Sequence, residues 1–110
     1  MKLTVIDMQN TLTQEYLREV LNYEQDNGTF TWKVFKNRGA DIGDVAGCRN
    51  NRSGYWQIKI NRKIYPAHRL AIFYMTGDYP ANLVIHINGK RDDNRFINLK
   101  EVLLRKKNKL

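Results

Sequence analysis

Two stretches of the sequence concentrate side chains that could do chemistry. Residues 49–56 read Arg-Asn-Asn-Arg-Ser-Gly-Tyr-Trp, and residues 83–99 combine His86 with several amides, carboxylates and cations. Arginine neutralises phosphate groups, while amide, hydroxyl and aromatic side chains can contact sugars and bases. This interleaving of charge with amides and rings favours nucleic acid as the partner. The alternative is an ordinary solvated surface.

The net charge supports an acidic partner. The 110 residues hold 19 Lys and Arg against 11 Asp and Glu, which gives a formal charge of +8. The net charge is −3 over residues 1–30, +7 over 31–69, −1 over 70–85 and +5 over 86–110. Two basic stretches therefore flank an apolar middle. A membrane surface is disfavoured as partner because no basic amphipathic helix is apparent.

Composition restricts the class of protein further. An apolar content of 42% with 11% aromatic residues predicts a folded chain, and the length suits one small domain. No apolar run approaches the roughly 18 residues that span a bilayer, and the N-terminus does not resemble a signal peptide. Cys48 is the single cysteine, which excludes an internal disulfide and a multi-cysteine zinc site. We therefore expect a reducing, cytoplasmic location.

The elements that must position these residues are short. Thr13 can cap a helix through Leu21, with Leu12 and Leu17 as a hydrophobic staple. The pair Asn27-Gly28 marks a turn into a strand over residues 29–34. Residues 37–54, rich in Gly, Asn, Asp and Arg, indicate a long loop or an irregular hairpin.

The second half of the chain continues in the same style. Residues 55–60 and 63–65 predict a hairpin closed around Asn61-Arg62. A helix follows over 68–76, ended by Gly77 and Pro80. A short strand over residues 3–6 could lead the chain, and a strand, a loop, a second strand and a basic tail occupy residues 83–110. The fold class is α+β, with residues 1–80 as a nucleic-acid-binding part and 81–110 as a second part of one compact unit.

Residues 83–99 resemble the HNH endonuclease family in the form found in phages and mobile elements. The resemblance rests on a strand ending in His86, an Asn88-Gly89 turn, an Asp93-Asn94-Arg95 loop and an Asn98-Leu99 pair. Landmarks upstream also resemble the family, so that the resemblance covers nearly the whole chain. They are the helix over 13–21, the strand at Thr29–Trp32, the segment Gly43–Gly47, the hairpin and His68-Arg69-Leu70-Ala71.

This resemblance implies phosphodiester hydrolysis with one divalent metal such as Mg²⁺ in a ββα-metal fold. By position, His86 matches the general base and Asn98 the asparagine that orients it. The family has Asp where this chain has Ile85, and the second ligand position falls on Lys107. Hydrocarbon and ammonium groups cannot bind Mg²⁺. The last helix would have only residues 105–110.

We therefore expect no metal ligand and no cofactor, with Mg²⁺ or another divalent ion only if cleavage is retained. Rescue of the metal site by Asp92 or Asp93 is the open alternative, although Asp93 is better placed to cap the short turn over 96–99. His86 without a metal is either a polar residue near phosphate or a partly buried structural histidine.

The remaining candidates are nucleic-acid contacts. His68 is expected to be structural, Trp32 and Trp56 core residues, and Tyr55 the better candidate for base stacking. Arg69 can reach phosphate, and a solvated or ion-paired surface role is the alternative for this residue. The predicted nucleic-acid contacts are Lys36, Arg38, Arg49, Arg52, Tyr55, Lys59, Arg62, Lys63, Arg69, Lys90, Arg91 and Arg95.

Three functions follow from these observations. The first is a nuclease-derived, catalytically silent module that binds nucleic acid (DNA favoured, RNA also compatible) or a nucleoprotein effector complex, as an anti-CRISPR inhibitor would. The second is an active HNH nicking endonuclease. The third is an inhibitor whose basic face docks on an acidic protein groove. A homodimer is compatible with an apolar strand edge beside the short last helix.

Overall fold

The structure, a computed structural model, describes residues 11–37 and 40–103. The expected strand over residues 3–6, Arg38, Lys107 and the helix over 105–110 lie outside the described residues. In chain order the elements are α1 (Gln14–Val20), β1 (Leu21–Glu24), β2 (Thr29–Trp32), β3 (Cys48–Arg49), β4 (Trp56–Ile60), β5 (Lys63–Pro66), α2 (Ala67–Thr76), β6 (Leu83–His86), a 3₁₀ helix (Phe96–Asn98) and β7 (Leu99–Val102). This arrangement confirms the α+β prediction.

Helix α1 begins where the sequence predicts. The Thr13 hydroxyl accepts a hydrogen bond from the backbone N–H of Tyr16 at 3.1 Å, which satisfies one of the free donors of the first turn. The helix passes directly into β1, and β1 pairs antiparallel with β2 so that Leu21 faces Trp32. The strand predicted over residues 29–34 ends two residues early, at Trp32.

The second sheet has the order β3-β4-β5, and all of its pairs are antiparallel. The β4–β5 hairpin turns at Asn61 and Arg62, both with positive φ of 50° and 70°, as in the tightest two-residue turns. Pairing continues to Pro66, one residue beyond the predicted end. The segment over 37–54, predicted as a long loop or an irregular hairpin, contains β3, which pairs with β4, and an isolated bridge between Asn37 and Ala40.

Helix α2 connects this sheet to the third one. It ends at Gly77, whose φ of 90° is the left-handed conformation that glycine adopts without strain. Strands β6 and β7 then form an antiparallel pair in which Leu83 faces Val102 and His86 faces Leu99.

One apolar core joins α1, the β1–β2 hairpin, the β3-β4-β5 sheet and α2. Each large side chain buried in this way contributes about 1.5–3 kcal/mol to folding. Trp32 belongs to this core, as predicted. In the described part of the chain, no helix is long and apolar enough to cross a membrane. The largest fully buried side chains are Leu17, Leu21, Phe30, Ile58, Ile60 and Leu70.

Candidate functional site

Strand β6 presents two faces because successive side chains alternate. Val84 is buried and His86 half-buried on the inner face, whereas Leu83 and Ile85 are 47% and 38% exposed on the outer face. His86 is therefore carried into the molecule at the end of the strand. Ile85, where the HNH resemblance calls for a carboxylate, carries a hydrocarbon side chain on the outer face.

His86 is held by Asn94. The Nε2 of His86 lies 2.9 Å from Oδ1 of Asn94, whose side chain is almost fully buried. An amide oxygen only accepts hydrogen bonds, so Nε2 is the donor in this contact, and in the singly protonated ring the lone pair would then be on Nδ1. The structure thus gives Asn94 the contact that the sequence assigned to Asn98.

Asn98 is used instead to fold the loop after β6. Its Nδ2 donates to Oδ1 of Asn88 at 3.0 Å and to the carbonyl of Asp93 at 2.8 Å. Its Oδ1 accepts from the backbone N–H of Asn88 at 3.0 Å. These three bonds employ both ends of the amide, and they place Asn98 as the residue that closes the loop containing Asn94. The signal for Asn94 was present in the sequence as the middle residue of Asp-Asn-Arg.

Two histidines and a tyrosine form a cluster that the sequence did not predict. The rings of His68 and His86 have centroids 4.9 Å apart, and Tyr55 stacks on His68 at 5.1 Å. His68 is 7% exposed and its Nδ1 has no hydrogen-bond partner. Burial, with the neighbouring His86 and Arg69 adding to it, lowers the pKa of His68 to about 4. His68 is therefore neutral near pH 7, in a ring-packing position.

The β1–β2 hairpin supports this cluster from the other side. The hydroxyl of Tyr23 donates to the carbonyl of Asn94 at 2.5 Å, and the N–H of Phe96 donates to the carbonyl of Gln25 at 3.1 Å. Burial, and then the charge of Asp93, raises the pKa of Tyr23 above its ordinary value, so the phenol remains a donor. The first hairpin thus fixes the backbone that carries Asn94.

Both carboxylates near His86 already have cationic partners. Asp93 accepts two hydrogen bonds from the Arg95 guanidinium, each 2.8 Å long, and a third from Asn88 at 2.7 Å. These bonds hold the pKa of Asp93 well below its usual range. Asp92 lies 3.9 Å from Arg49 in an exposed ion pair. Asp93 also accepts weakly from the Arg95 N–H at 3.4 Å, a local turn that precedes the 3₁₀ helix.

The residues present do not fit a divalent metal site of the expected kind. Ile85 offers no oxygen, and Asp93 is committed to Arg95. Across residues 11–37 and 40–103, no group of three or more His, Cys, Asp or Glu side chains is placed to hold a metal ion. The second predicted ligand position, Lys107, lies outside the described residues.

Several predicted phosphate contacts are engaged within the protein. Arg69 donates to the carbonyls of Pro80 and Asn82 at 2.8 and 3.0 Å, and Arg95 is paired with Asp93. Arg91 donates to the carbonyl of Ser53 at 2.8 Å, and its guanidinium lies 5.0 Å from the centroid of the Tyr55 ring.

Arg91 thus joins the loop over residues 50–55 to the loop over 87–95. The Arg49–Asp92 pair adds a contact between the end of β3 and the same second loop. Tyr55, the predicted stacking residue, is half-buried against His68, His86 and Arg91. Its ring is therefore part of this internal packing.

The other predicted cations lie elsewhere. Lys36, Lys59 and Arg62 line one groove, and Lys63 lies over the Tyr65 ring with Nζ 5.6 Å from its centroid. Arg52 and Lys90 are exposed on their loops. The structure thus divides the predicted contacts into cations that hold the two loops and the α2–β6 connection, and cations that face solvent.

Comparison with known proteins agrees with the resemblance of the sequence. Residues 65–108, which run from the end of β5 beyond β7, match the sequence model of a family described as HNH endonuclease. No curated protein and no solved structure matches the chain.

Proposed function

We propose, from the membership of residues 65–108 in the HNH endonuclease family, that the protein binds nucleic acid without cleaving it. The observation that carries the proposal is Ile85. Its hydrocarbon side chain occupies the position where the family has a metal-binding carboxylate, and Asp93 is already hydrogen-bonded to Arg95. Without metal stabilisation of the leaving oxygen, worth several kcal/mol, cleavage should fall by at least a few orders of magnitude.

Binding is supported by charge. The chain carries a formal charge of +8, and its described surface leaves Arg52, Lys59, Arg62 and Lys90 exposed. Lysine and arginine bind nucleic acid by neutralising phosphates and releasing counterions. The family is one that acts on nucleic acid, so duplex DNA is the favoured ligand and RNA the second.

The alternative is an active nicking endonuclease, and one observation favours it. His86 is retained, and its hydrogen bond to Asn94 leaves Nδ1 as a proton acceptor. A general base alone supplies about 10²–10⁴-fold in rate, so this alternative also needs an unusual source of charge stabilisation.

Supercoiled plasmid incubated with the protein in Mg²⁺ or Mn²⁺ separates the two. We expect retarded migration of intact plasmid and no conversion to the nicked form. Nicking by the wild-type protein that is lost in His86→Ala would overturn the proposal. A variant with Ile85→Asp and Lys107→Asn restores oxygen ligands at both family positions. Nicking by this variant alone would show that the missing ligands are what prevents cleavage.

A nucleoprotein complex is the second candidate partner. We extend the proposal to a phage-derived inhibitor of the anti-CRISPR type, which would occupy an effector complex with the same basic surface. Its formal charge of +8 supports this role. Purification from the native host, with and without nuclease treatment, distinguishes the candidates. An effector complex should remain bound after treatment, whereas partners held through free nucleic acid should be lost.

A further inference from the structure

The outer face of the β3-β4-β5 sheet carries a basic groove whose lining residues all precede the matched HNH segment. It encloses about 640 Å³ and is lined along one side by Lys59 and Ile64, which face each other across the β4–β5 hairpin. Lys36 and Arg62 add two further cations. We call it the sheet groove. Its other lining residues are Trp32, Asn37, Ala40, Val45, Gly47, Cys48, Gln57 and Asn61.

Strand alternation explains why these groups share the groove. Ile58 and Ile60 of β4 are fully buried in the core, so Gln57 and Lys59 must project from the opposite face of the sheet. Cys48 in β3 pairs with Gln57 of β4 and therefore lies on the same face of the sheet.

The electrostatics of the sheet groove are one-sided. Its described lining contains three cations and no carboxylate. By contrast, Arg49 at the end of β3 and Arg95 in the loop after β6 are paired with Asp92 and Asp93. Among the residues that the structure describes, no acidic side chain lines the groove to neutralise its positive charge, and such charge attracts a polyanion.

The lining also offers groups for more than phosphate. Asn37, Gln57 and Asn61 provide amide groups, which can hydrogen-bond to base edges and sugars. The amide oxygens of Gln57 and Asn61 already accept from Asn50 and Tyr16 at 3.3 Å, so these two residues offer mainly their NH₂ groups as donors. Val45 and Ile64 are 54% and 57% exposed and offer apolar contact beside the charges. An acidic protein surface would be met by the cations alone, whereas cations with amides and small apolar surfaces match a nucleic-acid strand.

We infer that the sheet groove is the principal nucleic-acid-binding surface of this protein, with Lys36, Lys59 and Arg62 contacting the phosphodiester backbone. The inference rests on the proposed function, since it identifies where that binding occurs. It assigns to the loops near His86 the lesser share of the affinity, because Arg91 and Arg95 there are engaged within the protein, which leaves Arg52 and Lys90 as the exposed cations of these loops.

The test measures binding of a fluorescent DNA duplex, and of the matching single strand, as a function of salt. The wild-type protein should show a steep fall of log K with log salt concentration. Neutralising two groove cations in Lys36→Gln/Lys59→Gln should make the slope shallower by about 1.5, at about 0.7–0.9 for each phosphate contact. The charge-matched control Lys33→Gln/Lys100→Gln removes two cations outside the groove and should leave the slope unchanged.

A third variant guards against loss of binding through misfolding. Arg62 lies in a turn with φ of 70°, so Arg62→Gly removes a groove cation while making the turn easier to form. We expect a slope shallower by about one with an unimpaired fold. Equal losses in the groove and control variants, or a wild-type slope retained in the groove variants, would overturn the inference alone. A wild-type protein that binds neither the DNA duplex nor the single strand, nor an RNA of the same sequence, would overturn the proposed function itself and favour an acidic protein partner.

Discussion

The imidazole of His68 lies in a site where its charged form is strongly disfavoured. Tyr55 stacks on it, the His86 ring lies 4.9 Å away, and Arg69 adds positive charge from the same helix. Burial is the main cause of the lowered pKa, which is about 4 compared with 6.5 for a free histidine. A single histidine thus links the stability of the cluster to pH.

We predict that the free energy of unfolding falls as the pH drops from 6.5 to 4. The unfolded state binds more protons than the folded state in this window, so the stabilisation is complete above pH 6.5 and is lost below it. With water reaching part of the cluster, the loss should be about 2 kcal/mol. Urea denaturation at pH 7 and pH 4.5 measures it.

The matched variant is His68→Phe, which keeps a ring beside Tyr55 but cannot be protonated. It should lose most of the difference between the two pH values. Asp93 contributes little between pH 7 and pH 4.5, because the stability from its lowered pKa is lost only as the pH falls through the unfolded value of 3.8 and below. An unchanged pH dependence in His68→Phe would assign the effect to other groups.

Residue identities were predictable where one side chain alone determines the role, and less so where two compete. The motif singled out His86, and of the two alternatives that the sequence left open, its half-buried position at the end of β6 agrees with a partly buried histidine. The sequence did not identify Asn94, rather than Asn98, as the partner of His86. Both are asparagines of one loop, and only the folded loop shows which side chain reaches Nε2. Arg95 likewise reads as a phosphate contact until Asp93, two residues before it, is seen to hold it.

At the scale of elements, the Asn27-Gly28 turn does more than reverse the chain. Gly28 has a φ of 78°, and a Cβ atom there would lie 2.5 Å from the backbone N of Arg95 and the backbone C of Asn94. The turn therefore packs directly on the loop that holds His86. Only a residue without a side chain allows this approach.

We predict that Gly28→Ala both destabilises the protein and disturbs His86. Gly43 provides a matched control, since its φ of 90° is also left-handed, an added Cβ would meet nothing within 4 Å, and it lies outside the loop that holds His86. Each alanine should cost about 1 kcal/mol for the left-handed backbone, and Gly28→Ala about 1–3 kcal/mol more for the clash.

Urea denaturation measures the difference in stability between the two alanine variants. In folded Gly28→Ala, the chemical shifts of the His86 ring should differ from those of the wild-type protein, whereas a loss of stability alone would leave them unchanged. Equal costs in the two variants would contradict the packing of the turn on the loop.

Elements with a local signal were predicted well. The Thr13 cap, the Asn61-Arg62 turn and the Gly77 helix end each depend on a few neighbouring residues, and all three are found. Strand β3 lies in the segment for which the sequence left a long loop or an irregular hairpin open, and its bounds were not predicted. Its two residues carry no strand pattern of their own, so only their pairing with β4 identifies them as a strand.

At the scale of the molecule, the three sheets are connected by hydrogen bonds between distant parts of the chain. Arg91 links to Ser53, Arg69 to Pro80 and Asn82, and Tyr23 to Asn94. Phe96 and Leu99 from the last hairpin pack against the common core. The matched HNH segment is therefore supported at several points by residues that precede it.

These connections predict that the protein unfolds in one cooperative transition. Trp32 in the core and His86 on β6 report on opposite ends of the described chain, and the sequence has only two histidines to resolve by NMR. Tryptophan fluorescence and the His86 signal should change at the same urea concentration. Tyr23→Phe removes the bond to Asn94 and should lower the midpoint of both probes together, by the equivalent of about 1 kcal/mol. If the β6–β7 hairpin were an independent unit, the His86 signal alone would move and the fluorescence midpoint would remain at the wild-type value.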